Sequence, residues 1–260
     1  MLEDDFTYVL RKALAGQHLA PADAAAHAGV SEHAVLSFLR GTFSAETARR
    51  LSPVLGLNPD AFAAHPSYQP RALSLPAVDR LVLPFGDGQV NAWLVKSGNE
   101  TILFDAGFET KDLIGAIEQA SGRLPDRVFI THSHRDHIGG LDHLLAASVP
   151  VHSAGIRGTI LMKPSDAVFC DQFIVRACDL SGHDVPAFGF SIEGLHVPTL
   201  VTGDALFAGS IGGCPTPTRY QQALRNLRIA LAHLSDDTVF LPGHGPATTL
   251  GEERAGNPFL

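Results

Sequence analysis

A cluster of histidine and aspartate side chains at residues 132–137 is the part of this 260-residue sequence best suited to chemistry. The pattern is H-x-H-x-D-H, with His132 and His134 two residues apart and Asp136 next to His137. Because an apolar segment precedes them, His132 and His134 are expected to point the same way and to share one metal ion. Asp136 and His137 lie on the following turn and can reach a second ion, since two-metal hydrolases hold their ions about 3.5–4 Å apart.

Three more residues of metal-ligating type each follow a predicted strand. They are His183 in Ser-Gly-His, Asp204 in Thr-Gly-Asp and His244 in Pro-Gly-His-Gly-Pro. Open α/β sheets gather their ligand groups at the carboxyl ends of strands, so all three are expected to meet residues 132–137 there. Imidazoles and carboxylates without a thiolate suit zinc, iron or manganese. This ligand set alone does not name the metal; we predict two divalent ions, with zinc as the expected metal and iron or manganese as alternatives.

The elements that must position these residues fall in two parts of the chain. Residues 1–65 carry apolar side chains three and four apart, interrupted by glycines, which predicts short helices with Ser31 and Ser44 as N-caps. Residues 66–76 contain three prolines and are predicted to form an extended linker. Residues 77–260 alternate strand and helix patterns, which indicates a layered α/β domain. The predicted strands are Leu81–Leu83, Val90–Val95, Thr101–Phe104, Val128–Thr131, Phe173–Ala177, Phe188–Ile192, Thr199–Thr202 and Val239–Leu241, and the predicted helices are Asp112–Ala120, Leu141–Ala147 and Gln221–Leu234.

The composition narrows the class of protein. A net charge of −8 argues against a protein that coats nucleic acid or an anionic membrane. No apolar run approaches the roughly 18 residues of a membrane span, and the acidic segment Met1–Asp5 is unlike a signal peptide. The three cysteines have no C-x-x-C spacing, so neither a disulfide framework nor a cysteine zinc site is predicted. We expect a cytoplasmic protein with a small-molecule substrate and no membrane partner.

The seven candidate ligands, in their order and spacing, resemble the ligand set of the metallo-β-lactamase-fold hydrolases over about residues 75–260. Within that superfamily, the segments at 202–210 and 242–254 resemble compact bacterial enzymes of the glyoxalase II type, the hydroxyacylglutathione hydrolases. The resemblance implies an αββα sandwich with the metals at one edge. It also implies a division of the ligands, with the first ion on His132, His134 and His183, the second on Asp136, His137 and His244, and Asp204 bridging the two.

Two departures from that family bear on the substrate. Gly213 stands where its members usually have a basic residue that helps to hold the glutathione moiety. His183 is followed by Asp184, where the family usually has threonine. A lost charge-assisted contact typically costs about 1.5–3 kcal/mol. We therefore expect hydroxyacylglutathione to be a poor substrate.

The function implied by the resemblance is metal-dependent hydrolysis of a small thioester or ester. A hydroxide bridging the ions would attack the carbonyl, and Asp136 would orient that hydroxide as the catalytic residue. A lactonase, a mononuclear iron persulfide dioxygenase and a ligand-sensing transcriptional regulator are the alternatives. Asp105 ends another strand and is expected to support a ligand rather than to bind metal. Aromatic residues near the rim could shape the substrate pocket, although a core position is the simpler expectation for each: Phe85, Trp93, Phe108, Phe207 and Tyr220.

The N-terminal segment resembles the five-helix helix-turn-helix domain of phage-repressor type. In that family the helix after Gly29-Val30-Ser31 enters the major groove and presents basic or amide side chains. Here this helix begins with Glu32 and has a single cation, Arg40, at its end. Residues 1–65 hold five basic and seven acidic residues, so they are not expected to bind duplex DNA. We predict instead a small all-α module for packing or homodimerisation that covers the rim of the active site.

Overall fold

The computed structural model describes residues 1–260, and its first 67 residues are helical. Five helices occupy this region, followed by one turn of 3-10 helix at His65–Ser67. Ser31 accepts a hydrogen bond from Ala34 N, and Ser44 accepts one from Thr47 N, which confirms both predicted N-caps. Residues 68–75 belong to neither a helix nor a strand. The helices are α1 (Phe6–Gln17), α2 (Pro21–Ala28), α3 (Glu32–Leu39), α4 (Ala45–Leu55) and α5 (Pro59–Ala64).

The rest of the chain forms two six-stranded sheets. The first has the order β1-β2-β3-β4-β5-β6 and the second the order β12-β11-β10-β9-β8-β7. Strands β3 to β6 run parallel, and so does the pair β10–β11, while the other neighbours are antiparallel. The strands are β1 (Val78–Phe85), β2 (Gly88–Ser97), β3 (Glu100–Phe104), β4 (Arg127–Phe129), β5 (Val151–Ser153), β6 (Ile160–Leu161), β7 (Ala167–Cys170), β8 (Phe173–Asp179), β9 (Phe188–Glu193), β10 (Thr199–Gly203), β11 (Val239–Pro242) and β12 (Thr248–Thr249).

The two sheets pack face to face over an apolar core. Alternate residues of a strand point to opposite faces, so Ile102 and Phe104 of β3 enter this core while Leu103 between them points to the outer face. The outer face of the first sheet is covered by helices that follow its strands. These are α6 (Thr110–Ser121), α7 (Arg135–Ile138) and α8 (Leu141–Ala146). The layers from α6 to the second sheet are therefore helix, sheet, sheet.

The second sheet is covered by α9 (Pro217–Leu231), α10 (Leu250–Gly256) and the N-terminal helices. One continuous cluster of 27 buried apolar residues joins them, and it includes Leu10 of α1, Leu51 of α4 and Leu224 of α9. This layer completes the αββα sandwich expected for residues 77–260, and the N-terminal helices pack onto it from outside. None of the helices is long and apolar enough to cross a lipid bilayer.

Candidate metal centre

The structure brings all seven predicted ligand residues together at one edge of the sandwich. His132 and His134 lie in the loop between β4 and α7, and Asp136 and His137 lie within α7. The other three follow β8, β10 and β11. Their donor atoms form two groups, and within each group these atoms lie within 4.8 Å of one another: His132, His134, His183 and Asp204 in the first group, and Asp136, His137 and His244 in the second.

The first group is built from imidazole nitrogens that face one another. The Nδ1 atom of His134 lies 3.1 Å from Nε2 of His132 and 3.0 Å from Nε2 of His183. Nε2 of His183 lies 3.4 Å from a carboxylate oxygen of Asp204. Two imidazole nitrogens directed at a third, with a carboxylate beside them, form the donor set of a divalent cation.

The second group is more deeply buried. Nε2 of His244 lies 3.2 Å from Oδ2 of Asp136, and Nε2 of His137 lies 3.7 Å from the same oxygen. The side chain of His137 is completely buried, whereas that of His183 in the first group keeps 19% of its surface exposed. The first group is therefore the more open of the two.

Asp204 faces both groups. Its Oδ2 lies 3.9 Å from Nε2 of His132, and its Oδ1 lies 3.2 Å from Nε2 of His137. Oδ1 of Asp204 and Nε2 of His137 are both buried, and neither makes a hydrogen bond. Because a buried polar atom without a partner costs free energy, these two atoms fit the positions of ligands to a cation. The donor set therefore fits metal ions on both sides of Asp204.

Most of the imidazoles are oriented by a partner at their other nitrogen. Nδ1 of His137 lies 2.7 Å from Oδ2 of Asp105, Nδ1 of His183 lies 2.5 Å from the carbonyl oxygen of Gly213, and Nδ1 of His244 lies 2.7 Å from that of Gln89. Each Nδ1 then carries the proton, which leaves Nε2 as the lone-pair donor toward the centre. Asp105 thus has the supporting position expected from its place at the end of β3.

The electrostatic surroundings differ between the groups. Burial, together with the neighbouring imidazoles, lowers the pKa of His132 and His134, so these rings offer lone pairs. Burial also opposes the charged form of His137, but the carboxylates of Asp204 and Asp105 outweigh it and raise its pKa. The charge of His137 in turn holds the pKa of Asp204 well below its usual value, against the effect of burial. The carboxylates around His137 therefore favour a positive charge in the second group.

Asn91 on β2 is a residue of this site that the sequence did not reveal. Its Nδ2 donates to the carbonyl oxygens of Pro242 and Gly245, each at 2.9 Å, and its backbone N–H donates to that of Gly243 at 2.7 Å. These three carbonyls bracket His244. The side chain is 1% exposed, and Arg80 Nε donates to its oxygen at 2.8 Å. Asn91 therefore holds the loop that carries His244. This role depends on which loop lies beside β2, so the amino-acid sequence alone does not show it.

Helix α1 reaches the loop whose Gly213 carbonyl orients His183. Lys12 donates to the carbonyl oxygen of Ile211 at 2.8 Å and forms an ion pair with Asp4. A Cβ atom added to Gly213 would lie 3.8 Å from Cε of Lys12. A cation from the N-terminal region thus lies next to the position where the sequence lacks its expected basic residue.

Comparisons with known proteins agree with this architecture. The family model of the metallo-beta-lactamase superfamily matches residues 85–174. Over 204 residues, 68% of this chain and 95% of the relative, the sequence is 28% identical to a probable metallo-hydrolase, YqgX, of Bacillus subtilis. Over 205 residues, 69% of this chain and 96% of the relative, it is 29% identical to the hydroxyacylglutathione hydrolase GloC of Haemophilus influenzae.

A solved structure shares the same fold. The crystal structure of TTHA1623 in a di-iron-bound form superimposes with a TM-score of 0.53 and 27% identity, over 69% of this chain and 99% of that one. The two six-stranded sheets and their covering helices form the metallo-beta-lactamase fold. Fold, family model and relatives together support the placement of this chain in the metallo-beta-lactamase superfamily.

Proposed function

We propose that this protein is a metal-dependent hydrolase of a small thioester or ester, with two divalent ions held by the seven donor residues. The observation that carries the proposal is Asp204, a buried carboxylate that faces imidazoles of both groups and has an oxygen without a hydrogen bond. The similarity to a hydroxyacylglutathione hydrolase supports the reaction class. Zinc is the proposed metal, and the di-iron form of TTHA1623 keeps iron as an alternative.

Different residues of the centre have different roles in such a reaction. When bound, two divalent ions lower the pKa of a water molecule and polarise the carbonyl oxygen of a substrate. Asp136 is 7% exposed and fixed by its contact with His244, so its carboxylate can accept a hydrogen bond from the attacking water in one orientation. We assign it the catalytic role of orienting that water. His134 and His183 lie at the open side, where the substrate enters.

The N-terminal helices are proposed to form a packing module, with the division of the chain at 1–65, 66–76 and 77–260. Lys12 and His65 support this role, because they bind the backbone of the loop that orients His183, His65 through the Gly209 carbonyl at 3.0 Å. A homodimer through these helices remains part of the proposal. A measured mass of the protein in solution would decide that part.

The test is hydrolysis by purified protein loaded with zinc, assayed on thioesters, esters and lactones. We expect turnover by the wild type, loss of about a thousandfold or more in His134→Ala, and unchanged rates in His143→Ala, an exposed histidine of α8. Preference for lactones would assign the lactonase alternative. Oxygen uptake by an iron-loaded sample with a persulfide, and no hydrolysis of any compound, would contradict the hydrolase and support the dioxygenase.

A further inference from the structure

Two phenylalanine rings lie side by side at the candidate metal centre and are partly open to solvent. The ring of Phe85 lies 6.1 Å from that of His244 and 5.2 Å from that of Phe108. Phe85 keeps 37% of its surface exposed, and Phe108 is half-buried. The other aromatic candidates from the sequence lie in the core, since Trp93, Phe207 and Tyr220 are at most 4% exposed. Phe85 and Phe108 are therefore the aromatic candidates whose rings a ligand at the centre can reach.

The position of Phe85 is tied to that of His244. Phe85 is the last residue of β1, and it pairs with Gly88 of β2 across a two-residue turn. The next residue of β2, Gln89, accepts the hydrogen bond from His244 Nδ1 at 2.7 Å. The same hairpin therefore carries the phenylalanine ring and the carbonyl oxygen that orients the imidazole.

Phe108 is fixed by the glycine pair that ends the histidine motif. Gly139 N donates to the carbonyl oxygen of Gly107 at 2.7 Å, and Gly140 N donates to that of Ala106 at 2.9 Å. A Cβ atom on Gly139 would lie only 1.8 Å from the carbonyl oxygen of Phe108, so this approach requires glycine. The backbone that carries the ring is thus packed directly against the helix that carries Asp136.

A cation borders this surface. The guanidinium carbon of Arg135 lies 4.5 Å from the centre of the Phe108 ring, and its side chain is 76% exposed. Arg135 lies between His134 and Asp136 in the sequence, so its backbone is next to the centre while its side chain reaches solvent. The surface therefore offers aromatic faces for stacking and a charged edge toward solvent.

We propose that Phe85 and Phe108 form a subsite for an aromatic group of the substrate, so that aryl-bearing thioesters are preferred over short aliphatic ones. The inference rests on the proposed hydrolase function and names its substrate class. Aromatic rings pair at centroid distances of about 4.5–7 Å, and such contacts favour the aryl substrate by about tenfold. An aryl group in the acyl part or in the leaving thiol can occupy the subsite.

The experiment compares kcat/KM for three probes on zinc-loaded protein: S-acetyl N-acetylcysteamine, S-phenylacetyl N-acetylcysteamine and S-benzyl thioacetate. We expect one aryl probe to exceed the acetyl probe by about tenfold in the wild type. Phe85→Ala should lower the ratio of the aryl kcat/KM to the acetyl kcat/KM to about one. Phe169→Ala is the matched control, because this phenylalanine of β7 is 75% exposed on the second sheet.

Equal kcat/KM for all three probes in the wild type, or an undiminished preference in Phe85→Ala, would overturn the subsite. If no probe is hydrolysed at all, the hydrolase proposal fails. Whether the aromatic subsite exists is then tested by ligand binding alone. Calorimetric titration of the zinc-loaded protein should then show about tenfold tighter binding of phenylacetate than of acetate, lost in Phe85→Ala. Equal binding of the two acids would reject the subsite.

Discussion

Replacing Asn91 by alanine removes the two side-chain hydrogen bonds that bracket His244. The carbonyl oxygen of Pro242 keeps Nε1 of Trp93 as a donor at 2.9 Å, whereas that of Gly245 loses its donor. The bond that Asn91 Oδ1 accepts from Nε of Arg80 is lost as well, so three side-chain hydrogen bonds disappear, each worth about 1 kcal/mol. We therefore expect the free energy of unfolding to fall by about 2–4 kcal/mol. Without these hydrogen bonds the loop that carries His244 is less well positioned, so the second ion should bind about 10–100-fold more weakly.

The assay for Asn91→Ala has two readouts. Urea unfolding of the chelator-treated protein measures the stability, and titration of zinc against a chromophoric chelator measures the affinity of each site. Asn99→Ala is the control, because Asn99 is exposed in the turn after β2. We expect the first-group affinity to stay unchanged and only the second to weaken. An unchanged second-site affinity would refute the argument that Asn91 positions His244.

Three further outcomes are expected. Lys12→Met should lower the ratio of kcat/KM for hydroxyacylglutathione to that for S-acetyl N-acetylcysteamine about tenfold, because Lys12 lies next to Gly213. The control Lys111→Met, exposed on α6, should leave this ratio unchanged, and an unchanged ratio in Lys12→Met would exclude Lys12 as a glutathione contact. Glu253→Ala should destabilise by at least about 2 kcal/mol, since it leaves buried donors such as Gly209 N unpaired, whereas Glu253→Gln should cost less. Burial raises the pKa of Glu253 in the folded protein, so the wild type loses stability as the pH rises above 4.5, whereas Glu253→Gln does not titrate. The difference in unfolding free energy between the wild type and Glu253→Gln should therefore become smaller as the pH rises, and a constant difference would contradict this. Residues 1–65 should give the full chain no sub-micromolar affinity for duplex DNA at about 150 mM salt, and a mobility shift would revive the regulator alternative.

The sequence predicted the parts of the site that depend on residue type and strand order. His183, Asp204 and His244 each follow a strand, and ligand groups gather at strand ends, so their meeting with His132 could be foreseen. The eight predicted strands all correspond to strands of the structure, although their ends differ by a few residues. Strands such as β3 and β11 are buried on both faces, so they read as continuous apolar runs that stand out in the sequence.

Other features depend on tertiary contacts and left little signal in the sequence. The strands β5, β6, β7 and β12 have two to four residues each, and none was predicted. The equally short β4 and β11 were predicted only because they read as buried apolar runs. Asn91 lies in a strand that reads as ordinary core, and its role arises only because β2 passes beside the loop after β11. The same holds for Lys12, which meets Ile211 across 199 residues of chain.

The count of metal ions per chain tests the central claim most directly. Two donor groups share Asp204, so elemental analysis of zinc-loaded, desalted protein should find two ions per chain. His244→Ala removes one donor from the second group alone and should lower the count to about one. A single ion in the wild type, or two ions and full hydrolytic activity in His244→Ala, would contradict a two-metal hydrolase.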